Sequence, residues 1–346
     1  MTARDDLVLQ QVTLDRVWQT VDPFLFCVHH DDDYPEGDEE LGPCAPLVGR
    51  NIGMDFSGRD GWSMYHGSLV PGFPQHPHRG FETISFMRKG FMDHSDSLGA
   101  AARFGRGDVQ WMTAGSGIVH AEMFPLLNRA EHNQTELFQI WINLPASDKL
   151  VPPHFAMLWG HEIPQHTFLD AAGRPTRVTV VAGELVAGHH APAPPPHSWA
   201  ARPDSDVGIY HADIAAGGSW SLAPAAGATT MRTVYVFRGG SVRIGGTEVS
   251  GGHAGVVRSD LPVTLVDTGD GAEVLVLQGR PIGEPIVQYG PFVMNTKAEI
   301  QKAYHDYSET GFGGWPWPAA DPHHGAEPRR FARHADGRVE ELTPAG

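Results

Sequence analysis

The chain has 346 residues, of which 41% are hydrophobic, with 41 glycines, 28 prolines, two cysteines and a formal net charge of −16. That length accommodates about two domains, and the Gly and Pro content favours a turn-rich β architecture over a helical one. The acidic balance, with no basic run denser than Arg329-Arg330, argues against direct binding to nucleic-acid phosphate or to an anionic membrane. Cys27 and Cys44 are too few for a disulfide framework. The start, Met1-Thr2-Ala3-Arg4-Asp5-Asp6-Leu7, has neither the apolar core nor the cleavage pattern of a leader, and no apolar run is long enough to span a bilayer. A cytoplasmic protein is expected.

In chain order, the first feature is the acidic stretch 29–40, His-His-Asp-Asp-Asp-Tyr-Pro-Glu-Gly-Asp-Glu-Glu, which reads as a solvated surface loop. A cation site built from Asp31 to Asp33 is set aside, because flexible acidic loops bind cations weakly. From about 50 to 145 short strands alternate with Gly-rich turns: Glu82 to Arg88, Asp108 to Met112, Ile118 to Phe124 and the alternating Glu136 to Leu144. Pro152-Pro153 marks a break, and 189–197 reads as a Pro-rich loop whose histidines have no partner ligands nearby. A second β-rich region follows, with strands at Arg177 to Ala182, Val207 to Ile214, Thr233 to Phe237, Val242 to Ile244 and Val274 to Leu277. Its Val234-Tyr235-Val236-Phe237-Arg238-Gly239 echoes Ile84 to Gly90, a strand ending in a basic residue and glycine. Aligning the two puts the counterparts of His76 and His78 among Ala225 to Thr229, which holds no metal ligand, so the second region is expected to repeat the first with an empty site. Thr296 and Glu299 form a capping box that starts a helix, which Gly311 ends. Trp315 and Trp317 could anchor the remaining tail.

Two segments carry the chemistry. His76-Pro77-His78 and His120-Ala121-Glu122 each place two metal-ligating side chains at i and i+2, on one face of a strand. If the two strands are neighbours, three imidazoles and a carboxylate converge, a set suited to a redox-active first-row metal with open positions. Glu82 offers a competing carboxylate, because His76-x-His78-x₃-Glu82 is also a metal motif and Glu82 is evenly spaced from both histidines. Residue spacing alone leaves Glu82 and Glu122 both open.

The segments His76-Pro77-His78-Arg79-Gly80-Phe81-Glu82-Thr83 and Gly107-Asp108-Val109-Gln110-Trp111-Met112-Thr113-Ala114-Gly115-x-Gly117-Ile118-x-His120-x-Glu122-Met123 resemble the pirin family. Further matches are Leu144-Pro145-Ala146-Ser147-Asp148-Lys149 and the run Pro281 to Thr296. The resemblance covers roughly residues 15–310 and implies an all-β fold of two tandem cupin (jelly-roll) barrels with a C-terminal helix. It divides the chain into an N-terminal metal-binding cupin at 15–160, a metal-free cupin at 175–295, the helix at 296–310 and a tail at 311–346. It implies one Fe(II) per chain on His76, His78, His120 and Glu122, with Glu82 not a ligand; other divalent first-row metals suit the same donors.

Two functions follow from the resemblance. One is a quercetin 2,3-dioxygenase-like oxidoreductase acting on a small aromatic substrate and O₂, with Glu122 doubling as the base for the flavonol hydroxyl. The other is a non-enzymatic redox-sensing regulator that binds a protein partner. Gln110 and Thr113 are candidates to orient the imidazoles from behind. The chain departs from the family's pattern in a longer acidic stretch at 27–70, a longer region after Pro152 and a tail of about 30 residues after the helix.

Overall fold

The computed structural model describes residues 7–342; residues 1–6, read above for a leader, and the last four residues of the tail lie outside the described residues. The chain divides into two compact units, one of residues up to 28 with 140–143 and 161–283, the other of 29–139, 144–160 and 284 onward. Strands dominate both, and among the described residues the one α-helix is Lys297–Thr310. No helix among them is long and apolar enough to cross a membrane. Both cysteines are free thiols, Cys27 buried and Cys44 exposed.

The first of these units has a seven-stranded sheet ordered Val8–Thr13, His253–Val257, Met231–Gly239, Ala272–Gly279, Gly208–Ile214, Pro175–Ala182, Gln165–Leu169. A four-stranded sheet, ordered Ser219–Leu222, Val263–Asp267, Ser241–Ile244, Thr247–Ser250, packs on it. Alternate residues of both sheets, among them Val234, Val236, Val274 and Val276 against Trp220, Leu222, Val263 and Leu265, form one buried core, as the two-residue period of a strand requires. Ser219–Leu222 pairs with Val263–Asp267, Trp220 opposite Leu265 and Leu222 opposite Val263. The strand that completes this sheet thus lies a few residues before the segment 225–229 picked out by alignment, and its inward positions are apolar. No cluster of metal-ligating side chains occurs in this unit among the described residues.

The second unit carries the motifs. Its five-stranded sheet runs His154–Leu158, Val109–Thr113, Phe81–Lys89, Asn133–Asn143, Phe24–Tyr34. Its six-stranded sheet runs Val339–Leu342, Arg330–Arg333, Ala101–Gly105, Phe91–Asp96, Ile118–Met123, Gly72–His78. Met87, Leu137 and Met157 of the first sheet meet Met92, Ala102, Phe104 and Ala332 of the second in one apolar core. The pattern of short strands between turns is as expected, with ends shifted by up to three residues.

One expectation fails here, and one holds in part. Residues 29–34 are not a loop: they are the end of the strand Phe24–Tyr34. Alternation decides this, since Asp31 and Asp33 are exposed while Asp32 and Tyr34 are buried. The Asp32 carboxyl accepts hydrogen bonds from the Ser63 amide at 2.9 Å and the Tyr65 hydroxyl at 2.7 Å, and burial raises it to about 7. A run of acids is therefore compatible with a strand when every second one is satisfied inside. The tail, for its part, is built into the sheet: Arg330–Arg333 pairs with Ala101–Gly105, Phe331 opposite Arg103. Trp317, one of the two proposed anchors, donates from its indole to the Asp96 carbonyl at 2.8 Å, whereas Trp315 bonds within the tail to the Ala319 carbonyl. The helix begins as expected, with Thr296 Oγ1 accepting from the Glu299 amide at 3.2 Å, and ends at Gly311 in the left-handed conformation.

Candidate metal centre

Gly72–His78 and Ile118–Met123 are antiparallel neighbours with His76 directly opposite His120, and His78 opposite Ile118. Directly opposed residues share a face, as do residues two apart. His76, His78, His120 and Glu122 therefore all point to the inner face of the six-stranded sheet. A bulge between Phe73 and His76 brings Phe73 opposite Glu122.

The three rings converge, with centroid separations of 4.4 Å for His76–His120, 4.8 Å for His76–His78 and 5.0 Å for His78–His120. One nitrogen from each lies within 4.8 Å of the others. His76 Nδ1 donates to the Pro74 carbonyl at 2.8 Å and His78 Nδ1 to the Pro291 carbonyl at 3.3 Å. A carbonyl only accepts, so the proton sits on Nδ1 of each ring and the lone pair on Nε2. His120 is fully buried, yet neither of its ring nitrogens has a hydrogen-bond partner among the described residues. An orphaned imidazole of that kind costs about 1–3 kcal/mol, and a metal ion removes the cost. The donor set present fits a first-row metal.

Glu122, on the same face, is held by the Ser85 hydroxyl at 2.7 Å and the Gln139 amide at 3.2 Å. Burial pushes its carboxyl up, with these hydrogen bonds opposing. Ser85 itself lies on Phe81–Lys89, and its Oγ is also 2.6 Å from Gln139 Oε1, so that the two oxygens share its single proton. Because Ser85 points inward, Glu82, three residues before it on the same strand, points to the other face, where the Thr113 hydroxyl donates to it at 2.7 Å. The even spacing from His76 to Glu82 does not survive the turn at Gly80, where the chain leaves one sheet for the other.

That turn is glycine for a reason. Gly80 has φ +86°, and a Cβ there would meet the Val293 carbonyl at 2.0 Å. The segment carrying Val293 is the one that supplies the Pro291 carbonyl to His78. Lys149, almost fully buried, fastens the two together by donating to the carbonyls of Gly80 at 2.8 Å and Val293 at 3.1 Å.

Of the residues expected to steady the imidazoles from behind, neither does so. Thr113 faces Glu82, and Gln110 has no hydrogen-bond partner among the described residues. Backbone carbonyls take that role for His76 and His78, and Ser85 and Gln139 take it for Glu122. Gln139 was readable in part, as a polar residue at an inward position of the alternating Glu136 to Leu144 run. Pro291 was not, since nothing local ties it to His78. A second group of potential ligands, His29, Asp31 and Glu136, also occurs in this unit. Its Glu136 already faces Arg88, and Lys89 lies 3.2 Å away, so it reads as an ion-pair cluster.

Burial holds His76 down at about 4 and holds His78 and His120 well below the usual histidine range. Unfolded histidines titrate near 6.5, so between these limits the unfolded chain binds more protons than the metal-free folded one. Stability is therefore complete above about pH 6.5 and falls as pH drops toward 4. For His76, which keeps slight exposure, the loss reaches about 3 kcal/mol at most. Denaturant melts of metal-free protein at pH 7.5, 6 and 5 should show the decline. Equal stability at all three would mean the imidazoles titrate in the folded protein as they do in the unfolded chain.

Comparison with known proteins gives the family and the fold. The family model described as Pirin matches residues 7–142, and that of the Pirin C-terminal cupin domain matches 209–313. A Pseudomonas aeruginosa protein named "Putative quercetin 2,3-dioxygenase" is 37% identical over 241 residues, covering 70% of this chain and 79% of its own. Pirin-1 of Arabidopsis thaliana is 35% identical over 259 residues, covering 71% and 80%. The crystal structure of a quercetin 2,3-dioxygenase from Acinetobacter baumannii superposes with a TM-score of 0.69 at 25% identity, covering 89% of this chain and 98% of that one. The all-β two-cupin architecture with one C-terminal helix is thus established.

Proposed function

The chain belongs to the pirin family, and on that premise we propose that it is a mononuclear metal-dependent dioxygenase that opens quercetin-like flavonols with O₂. Fe(II) is the proposed metal, and His76, His78, His120 and Glu122 the proposed ligands. The observation that carries the reading is the buried trio of imidazoles, two of them fixed with Nδ1 protonated and the third with neither nitrogen satisfied. The names of the bacterial relatives support the substrate class.

When bound, the metal supplies a Lewis acid and a one-electron couple. The chain supplies the rest. Three neutral imidazoles and one carboxylate leave a ferrous site with a net positive charge, which favours a flavonol as its oxyanion. Glu122 accepts the flavonol hydroxyl proton on a carboxylate oxygen, its burial making it a better base than an exposed glutamate. Ser85 and Gln139 fix the orientation in which it does so. The flanking apolar side chains, Phe81 beside His78 among them, keep bulk water from the reacting atoms.

The test is oxygen uptake by anaerobically iron-loaded protein given quercetin, with His76→Ala alongside. Uptake with carbon monoxide release, lost in the variant, is the expected result. One iron per chain without uptake would overturn the flavonol reading and favour the redox-sensing regulator with a protein partner, or another substrate.

A further inference from the structure

Below the layer of three histidines the interior of the metal-bearing unit holds a second, polar layer. On the five-stranded sheet Gln110 is directly opposite Ser85, so both point inward. On the six-stranded sheet His94 is directly opposite Glu122, so it too points inward. The Ser85–Glu122 hydrogen bond joins the two faces, which sets Gln110 and His94 beside it on their respective sheets. Both are fully buried. Neither atom of the Gln110 amide has a hydrogen-bond partner among the described residues, and nor does His94 Nδ1.

His94 is nonetheless tightly placed. Its ring stacks on Phe155 at 4.8 Å and lies 5.6 Å from that of His120. Its Nε2 donates to the Asp96 carboxylate at 3.1 Å, which leaves Nδ1 as an acceptor. Gln110 adds an N–H donor and a carbonyl acceptor. Interiors seldom leave buried groups of this kind unsatisfied, and one donor, Gln110 Nε2, with one acceptor, His94 Nδ1, matches a hydroxyl group, which both accepts and donates.

We propose that Gln110 and His94 form a subsite that holds a hydroxyl of the aromatic substrate, the hydroxyl donating to His94 Nδ1 and accepting from Gln110 Nε2. This rests on the flavonol reading above. It adds a selection rule: ligands are ranked by whether a hydroxyl reaches this layer.

The test is binding without turnover. Iron-loaded wild type, Gln110→Leu and His94→Phe are titrated anaerobically with quercetin and with 3-hydroxyflavone, which lacks the ring hydroxyls. Gln110→Leu keeps the volume and removes only unsatisfied atoms, so its melting temperature should hold or rise. His94→Phe keeps the stack on Phe155. In both variants quercetin affinity should fall about tenfold or more, the expected loss for one hydrogen bond at a buried site. 3-Hydroxyflavone should keep its affinity in both variants, because its one hydroxyl is the one whose proton Glu122 takes; a loss as large as that of quercetin would overturn the subsite. Equal affinities for both compounds in all three proteins, with iron bound, would overturn the subsite and leave an internal water as its occupant. No binding of either flavonol to wild type would instead overturn the substrate reading, and this inference with it.

Discussion

His120→Leu should weaken metal binding at least about a hundredfold while leaving the metal-free protein at least as stable as the wild type. The reasoning is specific to this side chain. His120 contributes two buried ring nitrogens that nothing in the protein satisfies, so a leucine of similar volume removes a desolvation penalty instead of a contact. The same change takes away one of three converging donors. Apparent site energies of roughly 10–16 kcal/mol for four ligands make each worth about 3 kcal/mol, so affinity should drop at least about a hundredfold. Because a ligand that binds only the folded state stabilises it, a thousandfold excess of metal over its dissociation constant adds about 4 kcal/mol. For a unit of this size that raises the melting temperature by roughly 10 °C. Wild type should show that rise on adding Fe(II) under anaerobic conditions, and His120→Leu about a third of it or less. A variant that binds metal as tightly as the wild type, or whose metal-free form is several kcal/mol less stable, would show that the imidazole is a packing residue.

The asymmetry between this histidine and its two neighbours explains what the sequence could and could not disclose. Two ligand pairs at i, i+2 are visible because strand geometry is local: once His76-Pro77-His78 and His120-Ala121-Glu122 lie on strands, each pair shares a face by necessity. Whether the two strands meet is a question of register, which rests on the bulge between Phe73 and His76 and has no signature in spacing. The choice between Glu82 and Glu122 was undecidable by counting for the same reason. Parity holds along one strand and is reset by the turn at Gly80, which sends Glu82 to the far face. The acidic stretch misled in the other direction. Average polarity of 29–34 suggests a loop, while alternation of exposed Asp31 and Asp33 with buried Asp32 and Tyr34 is what a strand needs. Partners far apart in sequence were out of reach: Pro291 behind His78 and Lys149 across Gly80 and Val293 depend on packing that periodicity does not encode.

The same holds for the tail, which lies beyond the residues matched by the family models and which sets up the second large effect. Asp93 and Arg103 are both fully buried and form a two-pronged pair, Arg103 Nε to Asp93 Oδ1 at 2.7 Å and Nη2 to Oδ2 at 2.6 Å. The tail completes the pair: the His324 amide donates to Asp93 Oδ2 at 2.8 Å, and Arg103 donates to the Glu327 carbonyl. Farther on, Arg330 reaches Asp108 at 2.7 Å. Asp93→Ala should therefore destabilise this unit by about 3–5 kcal/mol, since it strands a buried guanidinium. Asp93→Leu with Arg103→Met should recover most of that loss, because an apolar pair needs no compensation. Deleting the chain after Gly314 should have a further consequence at the metal centre. The tail bonds to the backbone on both sides of it: the Ala320 carbonyl accepts from the Gln75 amide at 2.7 Å, next to His76, and His324 Nε2 donates to the His94 carbonyl at 2.9 Å. These bonds steady the strands on which the ligands stand. Their loss should weaken metal affinity by roughly 10–100-fold, the range seen when supports behind metal ligands are removed. Metal competition titrations of the truncated chain and the double variant separate the two effects. The double variant should regain stability with metal affinity unchanged, and the truncated chain should lose both. A truncated chain that binds metal as tightly as the full one would show that the tail only covers a sheet edge.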